Sequence, residues 1–195
     1  MLAPRLTLLP TADPRPTHRP QINVEKNSLG GELASGVFSG IPTLKSIEID
    51  QNVLSSISPG AFANLTELTE LVLANNQLTE FLPEHIASTP KLEILGLNGN
   101  LISNISPATF ANTPMMDDLR LDVNSISSLP AELLTPIANL TQLEIDNNNI
   151  TSLPTGFLAS VPMLVKLQLA KNPYPVRRAC GSRVRRVAAD TPIKR

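Results

Sequence analysis

Apolar residues along this chain recur on a fixed period of 24, and every set closes on an asparagine. Laid on the pattern LxxLxLxxNxL, the first full copy is Leu44, Ile47, Ile49, Asn52 and Leu54. The same columns return as Leu68, Leu71, Leu73, Asn76, Leu78, then as Leu92, Leu95, Leu97, Asn100, Ile102. Two more copies follow: Met116, Leu119, Leu121, Asn124, Ile126 and Leu140, Leu143, Ile145, Asn148, Ile150. A sixth, Leu164, Leu167, Leu169, Asn172, breaks off at Pro173, and a weaker one (Ile22, Val24, Asn27, Leu29) precedes the first with a spacing of 25. The second half of the unit repeats as well, with Ile57, Phe81, Ile105, Leu129, Leu153 in one column and Phe62, Ile86, Phe110, Leu134, Leu158 in another. So many equal spacings identify an array of structural repeats.

The pattern dictates local structure. In xxLxLxx the two apolar residues lie two apart, so they share one face of a short strand and the residue between them faces the other way. A single turn cannot bury its leucines, but stacked turns form a parallel sheet with about 4.8 Å per step and a continuous core behind it. After each strand the chain bends inward and takes backbone N–H and C=O groups away from water, where they need partners. An asparagine amide donates and accepts at once. Asn52, Asn76, Asn100, Asn124, Asn148 and Asn172 are therefore expected to form a structural ladder between neighbouring turns.

These motifs make residues 22–172 resemble the leucine-rich repeat family. A 24-residue unit with Phe or Leu in its second half is similar to the typical class found in ectodomains of Toll-type receptors, Slit-type guidance proteins and small matrix proteoglycans. The GxIP signature of plant-type repeats occurs once, at 39–42, and does not recur. The resemblance implies an α/β-type solenoid: a right-handed superhelix with a parallel concave sheet and an irregular or short-helical convex side. It implies a non-enzymatic protein-binding module, receptor-like or secreted. An intracellular adaptor of the same shape is the alternative, and a matrix component that binds polyanions through a basic tail is a lesser one.

Composition sets limits on this picture. The 195 residues suit one domain, and 42% hydrophobic with 3% aromatic content suits a Leu/Ile core. Several of the 18 prolines (Pro59, Pro83, Pro107, Pro130, Pro154) fall just after the fourth apolar column, where irregular backbone tolerates a missing N–H. No apolar run reaches the roughly 18 residues that a membrane-spanning helix needs. Residues 1–20 carry Pro4, Pro10, Pro14, Pro16 and Pro20, which predicts an extended or disordered lead-in and interrupts the apolar core of a secretory signal. The repeat domain is expected over 21–172.

The segment 173–195 holds seven basic residues (Arg177, Arg178, Arg183, Arg185, Arg186, Lys194, Arg195) against Asp190. Its net charge of +6 leaves −7 on the rest of a chain of net charge −1. It reads as a basic tail or a degenerate cap. "NPYPVRRAC" at 172–180 resembles the opening of the family's C-terminal cap, with Val176 where the first cysteine belongs, so Cys180 has no evident partner. No interleaved aromatics accompany the arginines, and no nucleic-acid partner is expected. Four sequons, at Asn64, Asn104, Asn139 and Asn149, are candidate N-glycosylation sites and favour an extracellular location.

Catalytic chemistry is not indicated. His18 falls in the lead-in and His85 on the convex side, no metal-ligand spacing, P-loop or GxSxG occurs, and no cofactor or metal is expected. What varies freely is the outward side of each strand. Its successive rungs read Ser46, Glu48, Asp50; Glu70, Val72, Ala74; Ile94, Gly96, Asn98; Asp118, Arg120, Asp122; Gln142, Glu144, Asp146; and Lys166, Gln168, Ala170. Val72, Ala74, Ile94 and Gly96 form a small apolar centre between acidic rungs. Arg120 has Asp118, Asp122 and Glu144 within neighbouring-rung distance, which predicts one internal ion pair. A dry centre with a polar rim is how protein interfaces are built, so this face is the expected ligand-binding surface, and its acids select a basic protein.

Overall fold

The computed structural model describes residues 20–173. The proline-rich lead-in, the basic tail, His18 and Cys180 lie outside the described residues. Nine short strands carry the architecture: β1 (Gln21–Asn23), β2 (Gly30–Leu33), β3 (Ser46–Glu48), β4 (Val53–Ile57), β5 (Glu70–Val72), β6 (Ile94–Gly96), β7 (Asp118–Arg120), β8 (Gln142–Glu144) and β9 (Lys166–Gln168). Seven of them form one parallel sheet in the order β1-β3-β5-β6-β7-β8-β9. Leu71, Leu95, Leu119, Leu143 and Leu167 pair in register across it, so each rung is one 24-residue turn of a solenoid.

The inward columns make the core. Ile47, Leu71, Leu95 and Leu119 are fully buried, as are Leu73, Leu97 and Leu121 one step on. The descending side closes over them with Phe62, Ile86, Phe110 and Leu134. In the last turn the packing shifts by one residue: Phe157 is buried while Leu158 is only half-buried. A further column fills the convex side. Thr89 and Thr113 sit in line with Leu65, Ile137 and Val161, and their hydroxyls donate to the Ile86 and Phe110 carbonyls at 3.0 and 3.2 Å. A threonine is thus accepted in an apolar column because its one polar atom is satisfied within its own turn.

The asparagines link successive turns. Asn100 Nδ2 donates to the carbonyls of Leu73 and Leu97, both at 3.0 Å, while its Oδ1 accepts the Leu78 N–H at 3.0 Å. Asn52, Asn76, Asn124, Asn148 and Asn172 each repeat that three-way contact with their own turn and the preceding one. The residue before the asparagine is left-handed in every turn: Lys26, Gln51, Asn75, Gly99, Val123, Asn147 and Lys171 all have φ between 50° and 68°. At Gly99 a Cβ would lie 2.3 Å from Asn75 Oδ1 and 3.2 Å from the Asn75 backbone N, so with Asn75 in its present place glycine is the residue that fits.

The convex side is irregular, one of the two forms expected for it. Among the described residues it holds two single-turn 3-10 segments, Pro83–His85 and Thr135–Ile137, and otherwise turns. Proline stands in the first turn of both segments, where its missing N–H leaves no intrahelical bond unmade. A second sheet appears as well, where β2 pairs with β4 in parallel across a bulge at Gly31 and Glu32. No described helix is long and apolar enough to cross a membrane.

Candidate functional site

Strand register sets the concave face in rows that run across the turns. One row is Ser46, Glu70, Ile94, Asp118, Gln142, Lys166, and the next is Glu48, Val72, Gly96, Arg120, Glu144, Gln168. Asp50, Ala74, Asn98, Asp122 and Asp146 follow immediately after the strands and form a third. The sequence-predicted site residues are therefore brought together on one surface.

Several of them are not solvent-facing, and this corrects the simple alternation. Ala74 and Asp118 are only 5% and 4% exposed, and Ser46 and Gly96 are buried too. The cause is side-chain size on adjoining rungs. A Cβ added to Gly96 would lie 3.3 Å from Val72 Cγ1, so the valine side chain already covers the glycine. The apolar centre is Val72 and Ile94, both half-buried, over a floor of Gly96 and Ala74.

The expected ion pair at Arg120 is present, and a second pair accompanies it. Arg120 Nη2 and Nε both donate to Asp118 Oδ2, at 2.6 and 3.1 Å, and this pair covers the Asp118 carboxylate. Hydrogen bonding to Asp118 holds the Arg120 guanidinium above its usual range, with burial opposing this and the Asp118 charge adding to it. Glu144 instead meets Lys166 on the next rung. That second pair was readable in principle, since Lys166 lies one register step from Gln142 and so diagonally across from Glu144. Asp122 pairs with neither cation.

With both cations engaged, the other carboxylates have neutral donors at best. Glu48 accepts from Asn23 Nδ2 at 2.6 Å, Glu70 from Ser46 Oγ at 3.0 Å, Asp50 from Gln51 Nε2 at 2.9 Å and Asp146 from Asn147 Nδ2 at 2.6 Å. Asp122 Oδ1 and Asp146 Oδ1 are inaccessible to water and have no hydrogen-bond partner. Burial first, and Asp146 second, push the Asp122 carboxyl up to about 6. Burial raises Glu48 as well, with Glu70, Asp50 and Glu25 adding repulsion. The face is thus acidic, partly desolvated and repelling itself.

His85 is buried at 2% exposure in line with Ala61, Thr109 and Leu133, far from the acidic rows in register. Its Nδ1 accepts the Leu82 N–H at 3.1 Å, its ring meets Phe81 edge-on at 5.2 Å, and Nε2 is buried without a hydrogen-bond partner. It is a packing residue of the convex wall. Among the described residues no group of three His, Cys, Asp or Glu side chains is placed to hold a metal ion. The four sequon asparagines, Asn64, Asn104, Asn139 and Asn149, are all exposed.

Comparison with solved structures finds a leucine-rich repeat protein of Leptospira interrogans at 27% identity and a TM-score of 0.65, covering 71% of this chain. The match spans 34% of that protein, so this chain corresponds to about a third of its length. Comparison with curated proteins gives no match. The family model described as leucine rich repeat matches at 21–78, 66–126 and 90–150, which together cover more than half of the sequence. The chain belongs to the leucine-rich repeat family.

Proposed function

We propose that this chain is a non-enzymatic binding module whose concave face takes a basic protein partner. Members of this fold are protein-interaction scaffolds, and one observation supports the finer reading. Asp122, Asp146, Asp50, Glu48 and Glu70 lack a cationic partner among the described residues while Arg120 and Lys166 are already engaged. A cation arriving on the face would relieve repulsion that folding leaves in place, so the favourable change occurs on binding. Val72 and Ile94 supply the apolar contact beside it.

A photo-crosslinking residue placed at Ile94, and in parallel at exposed Ser127 on the convex side, tests the surface. The expected result is a basic protein captured from Ile94 and lost with Val72→Asp, at an unchanged melting temperature. Capture from Ser127 alone would refute the concave reading.

For location, the four exposed sequons support an extracellular, receptor-like or secreted role. An intracellular adaptor of the same shape is the alternative. Enzymatic removal of N-glycans from protein expressed through a secretory pathway should lower its apparent mass, with Asn64 and Asn139 the main sites. Unmodified protein resident in the cytosol would establish the adaptor reading.

A further inference from the structure

Val123 breaks the rule of its own column. The left-handed residues before the ladder asparagines are Lys, Gln, Asn or Gly in every other turn, and Val123, at φ 54°, is the one β-branched residue with positive φ among the described residues. A branched Cβ clashes with the backbone in that region. Burial gives nothing back, because Val123 is 51% exposed. A strained, exposed, apolar side chain is a poor choice for folding, and such outliers cluster at binding sites.

Its surroundings say what it would meet. The Gly99 N–H donates to the Asp122 carbonyl at 3.0 Å, which sets the preceding turn beside Val123 with no side chain at Gly99 to cover it. Two residues on from Gly99 is Leu101, 54% exposed. On the concave side the immediate neighbour is Asp122, and the Val123 N–H donates to the Asp146 carbonyl at 3.0 Å on the following turn. Both of those aspartates carry a water-inaccessible Oδ1 without a partner. Val123 thus borders two carboxylates that lack a cationic partner among the described residues, with exposed Leu101 on the preceding turn. An aliphatic partner alone would leave the carboxylates buried without a cation, and a purely cationic one would leave the aliphatic pair wet.

We propose that Val123, Leu101, Asp122 and Asp146 form the anchor of the binding surface, taking a segment in which an aliphatic residue adjoins a lysine or arginine. The aliphatic side chain packs on Val123 and Leu101 while the neighbouring cation bridges Asp122 and Asp146. This rests on the concave-face reading given above and places its energetic centre at the loop edge of the β7 and β8 turns. Strain at Val123 is then a concession to binding, so relieving it should help folding and harm recognition.

Fluorescence anisotropy with two labelled peptides of equal length and charge, one alternating Lys with Leu and one alternating Lys with Ser, tests this on the full chain. Wild-type protein should bind the Lys–Leu peptide about tenfold more tightly, the factor expected for burying one aliphatic side chain. Val123→Gly should abolish that preference while its melting temperature stays level or rises. Leu101→Ser should reduce the preference, and Asp122→Asn combined with Asp146→Asn should remove binding of both peptides. No preference in the wild type, a preference that survives Val123→Gly, or a lowered melting temperature in that variant would overturn the anchor. Val72→Asp with Ile94→Asp separates the two readings: loss of both peptides there, with Val123→Gly unaffected, leaves the concave site standing and removes the anchor from the edge.

Discussion

Asn100→Ala isolates the contribution of one asparagine to the stack, and the structure allows its cost to be worked out. The side chain is 5% exposed and contacts three backbone groups at 3.0 Å. Truncation does not orphan all three. The Leu73 carbonyl keeps its bond from Asn76 Nδ2 at 3.1 Å, and the Leu97 carbonyl keeps its bond from Asn124 Nδ2 at 3.0 Å. Only the Leu78 N–H is left with nothing, at a cost of about 1 to 3 kcal/mol for a buried unsatisfied donor. Two weakened carbonyls and a small cavity bring the expected loss to about 2 to 4 kcal/mol. Asn98→Ala, on the concave row, removes no side-chain hydrogen bond seen in the structure and should stay within about 0.5 kcal/mol. Urea titrations followed by circular dichroism, with equal slopes, compare the two directly. Equal midpoints for the two variants would refute the assignment of Asn100 as the inter-turn link, whatever the size of the shift.

Further expectations follow from charge and strain. Asp122, raised to about 6, disfavours the fold once ionised, so its contribution is fully favourable below its unfolded value near 3.9 and lost as pH rises through about 6. Asp122→Asn should therefore stabilise at about pH 7.5 by roughly 1 to 2 kcal/mol and leave stability unchanged at about pH 3.5, as thermal melts at the two pH values will show. His85 acts with the opposite sign: burial lowers its pKa, so the neutral ring is the folded form, and its stability is lost as pH falls below the unfolded value near 6.5. His85→Leu should flatten that part of the pH–melting curve, and an unchanged slope between about pH 7 and 5 would show that the ring does not titrate with unfolding. Val123→Gly should gain about 1 kcal/mol in a denaturant titration, since relief of the left-handed clash exceeds the added chain entropy of the unfolded state.

Turn length, the inward columns and the parallel sheet were legible because they depend on residue type at fixed spacing and on nothing else. Leu95 must be buried whatever its neighbours are, since a two-residue alternation with Leu97 leaves the core side no other occupant. The concave face is a different kind of problem. Its overall acidity could be counted along the sequence, but whether an outward residue meets water depends on the size of residues 24 positions away. Gly96 admits Val72, and Arg120 closes over Asp118, so two positions assigned to solvent are covered. Ion pairing depends on the same lateral geometry: Glu144 has Arg120 directly beside it in register, yet takes Lys166 on the diagonal because Arg120 is already fixed by two hydrogen bonds to Asp118. The left-handed column was missed for a third reason. Its residues, Lys26, Gln51, Asn75, Gly99, Val123, Asn147 and Lys171, share no chemistry, and only their common place before the asparagine reveals that the backbone there is fixed by the turn. That position imposes a conformation without imposing a residue, which makes it the part of the repeat where a costly side chain such as Val123 carries the most information about function.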